Sequence, residues 1–572
     1  MSFDRQGVWS DISSHELYSR VYHVAEQLGA WRIRKGDRVA LISENRFEWA
    51  ITDWACLLRG VVDVPIYPTL TAEQTAFVLK NSGARAIFVS TRKQLDKVLS
   101  IRHETQLEHI VAMDEVDHPE AIRMIQIIRA GQSVARAPRF DTAARSILPD
   151  DLATIIYTSG TTGVPKGVML THGNLASNLE QTAHSLGWQP GQVTLSFLPL
   201  SHVTARHVDY LCFLRGVTLA YCPSFDELAT KLQQVRPHLF VGVPRVYEKV
   251  RQGVEGRAAT GLKRPVYEWA LRVGEEHRAE TVRGQRPSDW QWEVANRVVY
   301  KAIRQWFGGR VEMYVSGGAP LGIDLARWYA DVGIRILEGY GLTETSPVIS
   351  VNEPEANKLG TVGKPLRNLE CHIAGDGELW VRGPSVFKGY WQNPEETAKA
   401  FEGDWFKTGD IGNIDAEGFL SITDRKKDLI KTSGGKFVAP QPIENKLKMS
   451  PLVAHPVVIG NARKFISVII CPNFAALEQW ASEQGITLTS REELIRNPRV
   501  TEAYDKIVAD ANLELARFET LKKVLLVPDD FTVDKGEMTP SLKLKRRVIE
   551  QKYKKQIDAM YEAAELSHPA TV

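Results

Sequence analysis

Ile155-Ile156-Tyr157-Thr158-Ser159-Gly160-Thr161-Thr162-Gly163-Val164-Pro165-Lys166-Gly167-Val168 is the stretch on which the reading of this chain turns. Three apolar, β-prone residues, Ile155, Ile156 and Tyr157, lead into a run of hydroxyls and glycines that closes on Lys166 and Gly167. Glycine lets the backbone come close to a ligand, and adjacent N–H and hydroxyl groups can converge on anionic oxygens. A lysine just beyond adds a point charge suited to phosphate. The run therefore reads as a phosphate-wrapping loop entered from a strand. It is not a Walker A loop, because Gly163 is followed by Val164 and not by Lys-Ser or Lys-Thr. By composition alone, an ordinary Gly/Ser/Thr surface loop fits equally well.

Outward from this loop, strand and helix patterns alternate. On the N-terminal side, Ser13 and Glu16 form a capping box ahead of Leu17, Val21, Val24, Ala25 and Leu28 at helical spacing. Val39–Ile42, 61–66 and Ala86–Val89 read as strands, with helices around Phe47–Leu58 and 71–80. Residues from about 100 to 150 suggest a loop or a peripheral helix. After the loop, 193–198, 217–221, 239–243, 311–315 and 334–337 read as strands, with a long helical insertion near 262–308. Such alternation argues for parallel sheet with crossover helices. From about 360 to 423 short strands with glycine turns suggest a small barrel or sheet. Beyond the charged run Asp424-Arg425-Lys426-Lys427-Asp428, itself readable as a solvated turn, a small α+β unit is expected. The fold class is thus α/β: a large N-terminal domain over 1–424 with a barrel-like subdomain, and a smaller mobile α+β domain over 425–572.

Composition bounds the function. A length of 572 residues exceeds one core. Hydrophobic content of 43% with net charge +2 describes a globular chain without a global attraction to nucleic acid. Five scattered cysteines without CxxC pairs read as reduced thiols, and neither a signal region nor a run of about 20 apolar residues is seen. A cytoplasmic protein is expected, with peripheral membrane contact and a homodimer left open.

Tyr157 to Gly167 resembles the signature loop of the adenylate-forming enzymes, which include acyl- and aryl-CoA synthetases, peptide-synthetase adenylation domains and luciferases. Further segments match in the family's order. Ser316-Gly317-Gly318-Ala319-Pro320-Leu321 and Glu338-Gly339-Tyr340-Gly341-Leu342-Thr343-Glu344-Thr345 resemble its adenine-packing and Mg²⁺-binding motifs. Asp410, in Trp405-Phe406-Lys407-Thr408-Gly409-Asp410, matches the aspartate that takes the ribose hydroxyls, and Arg425 matches the arginine that also reaches the ribose. Lys427 and Asp428 fall at the family's hinge. Ser433-Gly434-Gly435-Lys436 matches a segment that admits the pantetheine arm of coenzyme A. Gly536 to Arg547 resembles the segment carrying a mobile catalytic lysine; aligning on Lys-x-x-Arg-Arg selects Lys543, with Lys545 as runner-up because Leu542 stands where glycine is commoner. Residues 546–555 read as a solvated helix face.

The resemblance implies ATP and Mg²⁺ as cofactors and coenzyme A as co-substrate. Thr158, Ser159, Gly160, Thr161, Thr162 and Gly163 would hold phosphate, with Thr161 and Glu344 on the metal. Gly318, Ala319, Pro320, Glu338, Gly339, Tyr340, Gly341, Thr343, Asp410 and Arg425 would hold the nucleoside, and Gly434, Gly435 and Lys436 coenzyme A. Lys543, Glu344, Lys166 and His202 are the expected catalytic set, His202 lying in Leu198-Pro199-Leu200-Ser201-His202, which matches the acyl-site wall. Val243-Pro244-Arg245-Val246-Tyr247-Glu248-Lys249, the insertion and the Thr539–Arg547 segment look like long-chain acyl-CoA synthetases in particular. The implied activity is ATP-dependent ligation of a long-chain fatty acid to coenzyme A through an acyl-AMP; a fatty-acyl-AMP ligase serving a carrier protein, and a degenerate nucleotide-binding protein, are the competing readings. Two departures stand out. Relatives usually have several more helical turns before Trp9, which leaves dimer contacts open, and Arg206 stands where some relatives carry an aromatic tunnel gate.

Overall fold

Alternation of short β-branched runs with amphipathic helices produces two large sheets. The computed structural model describes residues 1–5, 8–131, 138–158, 165–258, 263–486, 490–532, 535–539 and 543–566. In the first sheet, Val62–Ile66, Arg38–Ile42, Ala86–Val89 and His109–Ala112 lie side by side, all parallel, with Ile122–Arg123 at the edge. Their inward and outward residues are both covered, so the strands are almost wholly apolar, as parallel sheet requires. The helix Ala72–Ser82 shows how local chemistry sets boundaries. Thr71 and Gln74 form a reciprocal capping box at its start, worth about 1 kcal/mol, and Gly83 ends it in the left-handed conformation. At Ser13 the expected box is half made: Ser13 caps the Ser14–Ala30 helix, but Glu16 turns instead to Arg20 at 2.5 Å.

The second sheet runs Val348–Val351, Ile336–Gly341, Met313–Ser316, Leu239–Gly242, Val193–Ser196 and Thr218–Tyr221, parallel from Ile336–Gly341 to Thr218–Tyr221. The hairpin Ser2–Arg5/Val8–Asp11 extends it. A five-stranded antiparallel sheet over 370–425 occupies the place where glycine-punctuated short strands were expected. The 263–308 insertion is helical, as its pattern predicts, with one π turn at Asn296–Tyr300.

Two expectations need correction. The 100–150 region holds a buried sheet strand, His109–Ala112, besides its helices Met124–Gly131 and Pro138–Arg145. Its four residues are too short a run for periodicity to separate from loop. Arg546, expected on a solvated face, is instead enclosed and ion-paired to Glu444 at 2.7 Å. Burial costs that guanidinium solvation, and the Glu444 charge offsets the cost.

Residues 430–566 form a three-stranded sheet, Val453–Ile459, Ile466–Pro472 and Leu521–Leu526, a two-stranded ribbon and packed helices around their own core. This part meets the rest along a polar seam. Asp424 accepts from the Gln441 N–H at 2.9 Å, and Arg251 reaches the Met449 sulfur at 2.9 Å. That seam carries Glu537–Thr539 and Lys543–Lys545, which pair with one another, to the mouth of the cleft described next.

Candidate active site

The quoted stretch begins in one strand and ends in another. Leu152–Thr158 pairs antiparallel with Lys166–Thr171, in a register that puts Thr158 opposite Lys166. The return strand has no counterpart in the sequence reading, because Lys166 and Gly167 there close the loop. Ser159, Gly160, Thr161, Thr162 and Gly163 lie outside the described residues. Lys166 is not an isolated cation: it is ion-paired to Glu396 and sits 5.2 Å from the Tyr390 ring centroid. The ion pair with Lys166, then Lys399, pulls Glu396 down to about 2. Tyr390 donates its hydroxyl to Glu344 Oε1 at 2.9 Å. Lys166 and Glu344, 178 positions apart in the chain, are thus tied through one tyrosine that sequence reasoning missed.

Parallel pairing sets the neighbouring wall. Ser316 lies opposite Glu338, so the turn Gly317–Pro320 and the strand tip Glu338–Gly341 emerge side by side. Gly318, Ala319 and Pro320 form the accessible rim of that wall, with Thr343 in the short turn beyond Gly341. Gly341 is required sterically: a Cβ there would lie 1.8 Å from the Pro347 carbonyl oxygen. Glu338 accepts from the Leu321 N–H, yet burial pushes its carboxyl up to about 8. Burial likewise holds Glu344 above the ordinary carboxylate range despite its hydrogen bonds.

Tyr340 donates to Asp410 Oδ2 at 2.6 Å. Asp410 faces Arg425 across the Trp405–Ile414/Leu420–Arg425 ladder, with Oδ1 3.5 Å from the guanidinium. Glu378 fixes this corner, accepting from the Gly409 N–H at 2.9 Å while Lys426 binds its other oxygen at 2.8 Å. Gly409 has φ of +73°, which few other residues adopt cheaply. Asp410 is buried, and desolvation raises its carboxyl against the opposing pull of Arg425.

Into this cleft comes Lys543. Its turn closes on itself, Thr539 N–H to the Lys543 carbonyl at 2.8 Å and Lys543 N–H to Thr539 Oγ1 at 3.0 Å. Glu537, almost fully buried, anchors the turn through Lys552 at 2.7 Å. The Lys543 side chain is reached by solvent, but protein surrounds it closely enough that desolvation, then the charge of Arg425, lowers its ammonium to about 8. Asp410 opposes that shift, so the lysine and this carboxylate share one field. Lys545, by contrast, lies at the start of the Arg546–Lys552 helix, its N–H donating to the Glu537 carbonyl.

His202 stands at the N-terminus of the Val203–Arg215 helix and caps it, Nδ1 accepting from the Thr204 N–H at 3.2 Å. Burial, then the Lys543 charge, pushes it down to about 4, so it is neutral near pH 7 with its proton on Nε2. Gly434, Gly435 and Lys436 lie elsewhere, in an exposed turn between Ile430–Lys431 and Phe437–Val438, with Lys436 over the Phe518 ring at 6.0 Å. Glu378, Tyr390 and Glu396 carry no local signal that separates them from surface residues. Among the described residues no group of three or more His, Cys, Asp or Glu is placed to hold a metal.

A cleft of this kind, with a carboxylate–tyrosine corner, a strand pair that carries Lys166 and a lysine delivered from the C-terminal unit, fits a ligase that activates a carboxylate with a nucleotide. The chain belongs to the AMP-binding enzyme family: the family model matches residues 3–391, and that of the AMP-binding enzyme C-terminal domain matches 427–565. It is similar to the long-chain-fatty-acid–CoA ligase FadD15 of Mycobacterium tuberculosis, 38% identical over 97% of this chain and 93% of that one. Human long-chain-fatty-acid–CoA ligase 1 is 31% identical, covering 94% and 80%. Among solved structures, the adenylation domain of a carboxylate reductase from Mycobacterium chelonae superposes with a TM-score of 0.75 at 24% identity, covering 97% of this chain and 85% of that one. No helix among the described residues is long and apolar enough to cross a membrane.

Proposed function

We infer that the protein is an AMP-forming fatty acid–CoA ligase: it activates a long-chain carboxylate with ATP, releases pyrophosphate, and passes the acyl group to the thiol of coenzyme A. The observation that carries this reading is the seating of Lys543 in the cleft of Asp410, Arg425 and His202. A carboxylate attacking a triphosphate brings like charges together, and fixed cations and donors must hold them. Lys543 supplies one such cation, and Lys166, held by Glu396 and the Tyr390 ring, is assigned as a second. Asp410 offers one oxygen to Tyr340 and keeps acceptor capacity for ribose hydroxyls. Neutral His202 presents an Nε2–H that can orient the acyl carboxylate without adding charge.

The site suits Mg²⁺. Glu344 is a desolvated carboxylate with one oxygen held by Tyr390, and a metal that keeps waters and phosphate oxygens needs few protein ligands. When bound, the ion would offset charge on the phosphates. Residues 1–424 and 425–572 act as two bodies in this reading. Turning about Lys427 and Asp428 withdraws Lys543 and brings the Ser433–Lys436 turn, the proposed coenzyme A segment, to the site. Thr158 through Gly163 are assigned to phosphate, and Gly318, Ala319, Pro320, Gly339 and Gly341 to the adenine wall.

The test is a panel of fatty acids from acetate to oleate with ATP, Mg²⁺ and free coenzyme A. Acyl-CoA and AMP in equal amounts, greatest with long chains, is expected. Fatty-acid-dependent ATP–pyrophosphate exchange without acyl-CoA would transfer the reading to a carrier-protein ligase, and no exchange with any acid would end it.

A further inference from the structure

The helix that follows the Lys166 strand carries two asparagines that bond to main chain far away in the sequence. Thr171 ends that strand and caps the helix His172–Leu186 in a reciprocal box with Asn174. Asn174 Oδ1 accepts from the Thr171 N–H at 2.9 Å, and its amide nitrogen donates to the Pro384 and Val386 carbonyls at 2.8 and 2.9 Å. Asn178, one helical turn on along the same face, is fully buried. It accepts from the Val348 N–H at 3.1 Å and donates to the Val348 and Thr345 carbonyls at 2.7 and 3.3 Å. The two held segments are tied to each other as well: the Phe387 N–H donates to the Glu344 carbonyl and Ser346 Oγ to the Ser385 carbonyl, both at 2.8 Å.

We propose, on the reading that Glu344 takes Mg²⁺, that Asn174 and Asn178 are positioning residues. They fix the Glu344 carboxylate relative to Lys166, and so set where a divalent cation on Glu344 meets the phosphates. An asparagine amide has an acceptor oxygen and two N–H donors, and both side chains use all of these on backbone. Such a set holds a segment in one register, which apolar packing alone does not fix. Asn178 grips the chain directly after Glu344, at Thr345. Asn174 grips it through 384–386, next to which Phe387 binds the Glu344 main chain and Tyr390 its carboxylate. Asn174 is also the box partner of Thr171, at the end of the strand that begins with Lys166, so one hydrogen-bonded path joins the cation to the carboxylate. Burial asks only that these carbonyls be paired, which other groups could do. Action on Glu344 demands more: loss of either asparagine must be felt through the metal.

ATP binding to the full-length protein is measured by calorimetric titration in Mg²⁺ and again in EDTA, with no fatty acid. The ratio of the two dissociation constants gives the strengthening due to the metal. Asn174→Asp keeps the capping acceptor but removes both donors. Its added negative charge would by itself favour a cation, so a weakened metal effect reports lost geometry. That effect should shrink about tenfold, the scale seen when a group that orients a metal ligand is removed, while affinity in EDTA holds. Asn178→Ala should act in the same direction. Glu344→Gln should remove the effect, and adding Asn174→Asp to it should change nothing more. Equal weakening in Mg²⁺ and in EDTA, a wild-type metal effect in both asparagine variants, or a loss that adds to that of Glu344→Gln would overturn the proposal. A wild-type metal effect in Glu344→Gln itself would strike first at the Mg²⁺ assignment, and the proposal would fall with it.

Discussion

Removing the Lys543 ammonium should divide the two half-reactions. With its ionisation at about 8, the lysine is about nine-tenths charged at pH 7 and about one-tenth charged at pH 9. If its charge holds the phosphates, kcat/KM for fatty-acid-dependent ATP–pyrophosphate exchange falls about tenfold across that interval. The sign follows from the group: an amine works in its protonated form, so activity is lost on the alkaline side. Lys543→Ala should lower exchange on the order of 10²–10³-fold, the size expected for one preorganised electrostatic donor, and should abolish the alkaline limb. Lys543→Arg keeps the charge at every accessible pH, so it should retain part of the rate and also lose the limb. Acyl-CoA formation from supplied acyl-AMP should change little in either variant. Exchange is followed with labelled pyrophosphate from pH 6 to 10, and thioester formation by free-thiol loss. An alkaline limb that persists in Lys543→Ala, or equal loss in both half-reactions, would refute the assignment and return attention to Lys545.

Three further outcomes follow from contacts in the fold. Tyr340→Phe keeps the ring but removes the 2.6 Å donor to buried Asp410, so KM for ATP should rise about tenfold while that for the fatty acid stays nearly constant. Arg206 is enclosed with Asp53 at 2.7 Å and Asp63 at 2.8 Å; Arg206→Met strands those carboxylates and should cost about 3–5 kcal/mol in urea unfolding, whereas a loss under about 1 kcal/mol would mean that the network is dispensable. Asp209 is buried and pushed up to about 7, so its protonated form is favoured on folding. The stability that it confers is full below about pH 4 and is lost as pH rises through 7, on the order of 4 kcal/mol. Asp209→Asn should flatten that slope in melts between pH 5 and 8.

Arg206 also shows why a chain-length gate does not carry over from one aligned position. It is four residues, about one helical turn, beyond His202, and it docks the Val203–Arg215 helix onto the first sheet through Asp63 and Thr154 and onto the Phe47–Leu57 helix through Asp53. Its residue type gives no sign of this, because arginine on a helix is usually solvated. The same holds for Arg546, whose partner Glu444 is 102 positions away.

Local chemistry was enough to place most strands, the Ser13 cap, the insertion's helicity and the order of the motifs, because hydrophobic period and turn residues act over a few positions. It was not enough for the return strand Lys166–Thr171, the buried strand His109–Ala112, or the Lys166–Tyr390–Glu344 tie, whose members gain meaning only when sheets pair. Nor could the chain alone put Lys543 beside His202 and Asp410. That juxtaposition depends on how two separately packed cores meet along the Asp424–Gln441 seam, and burial in the resulting cleft, not residue type, sets the ionisation of each group in it.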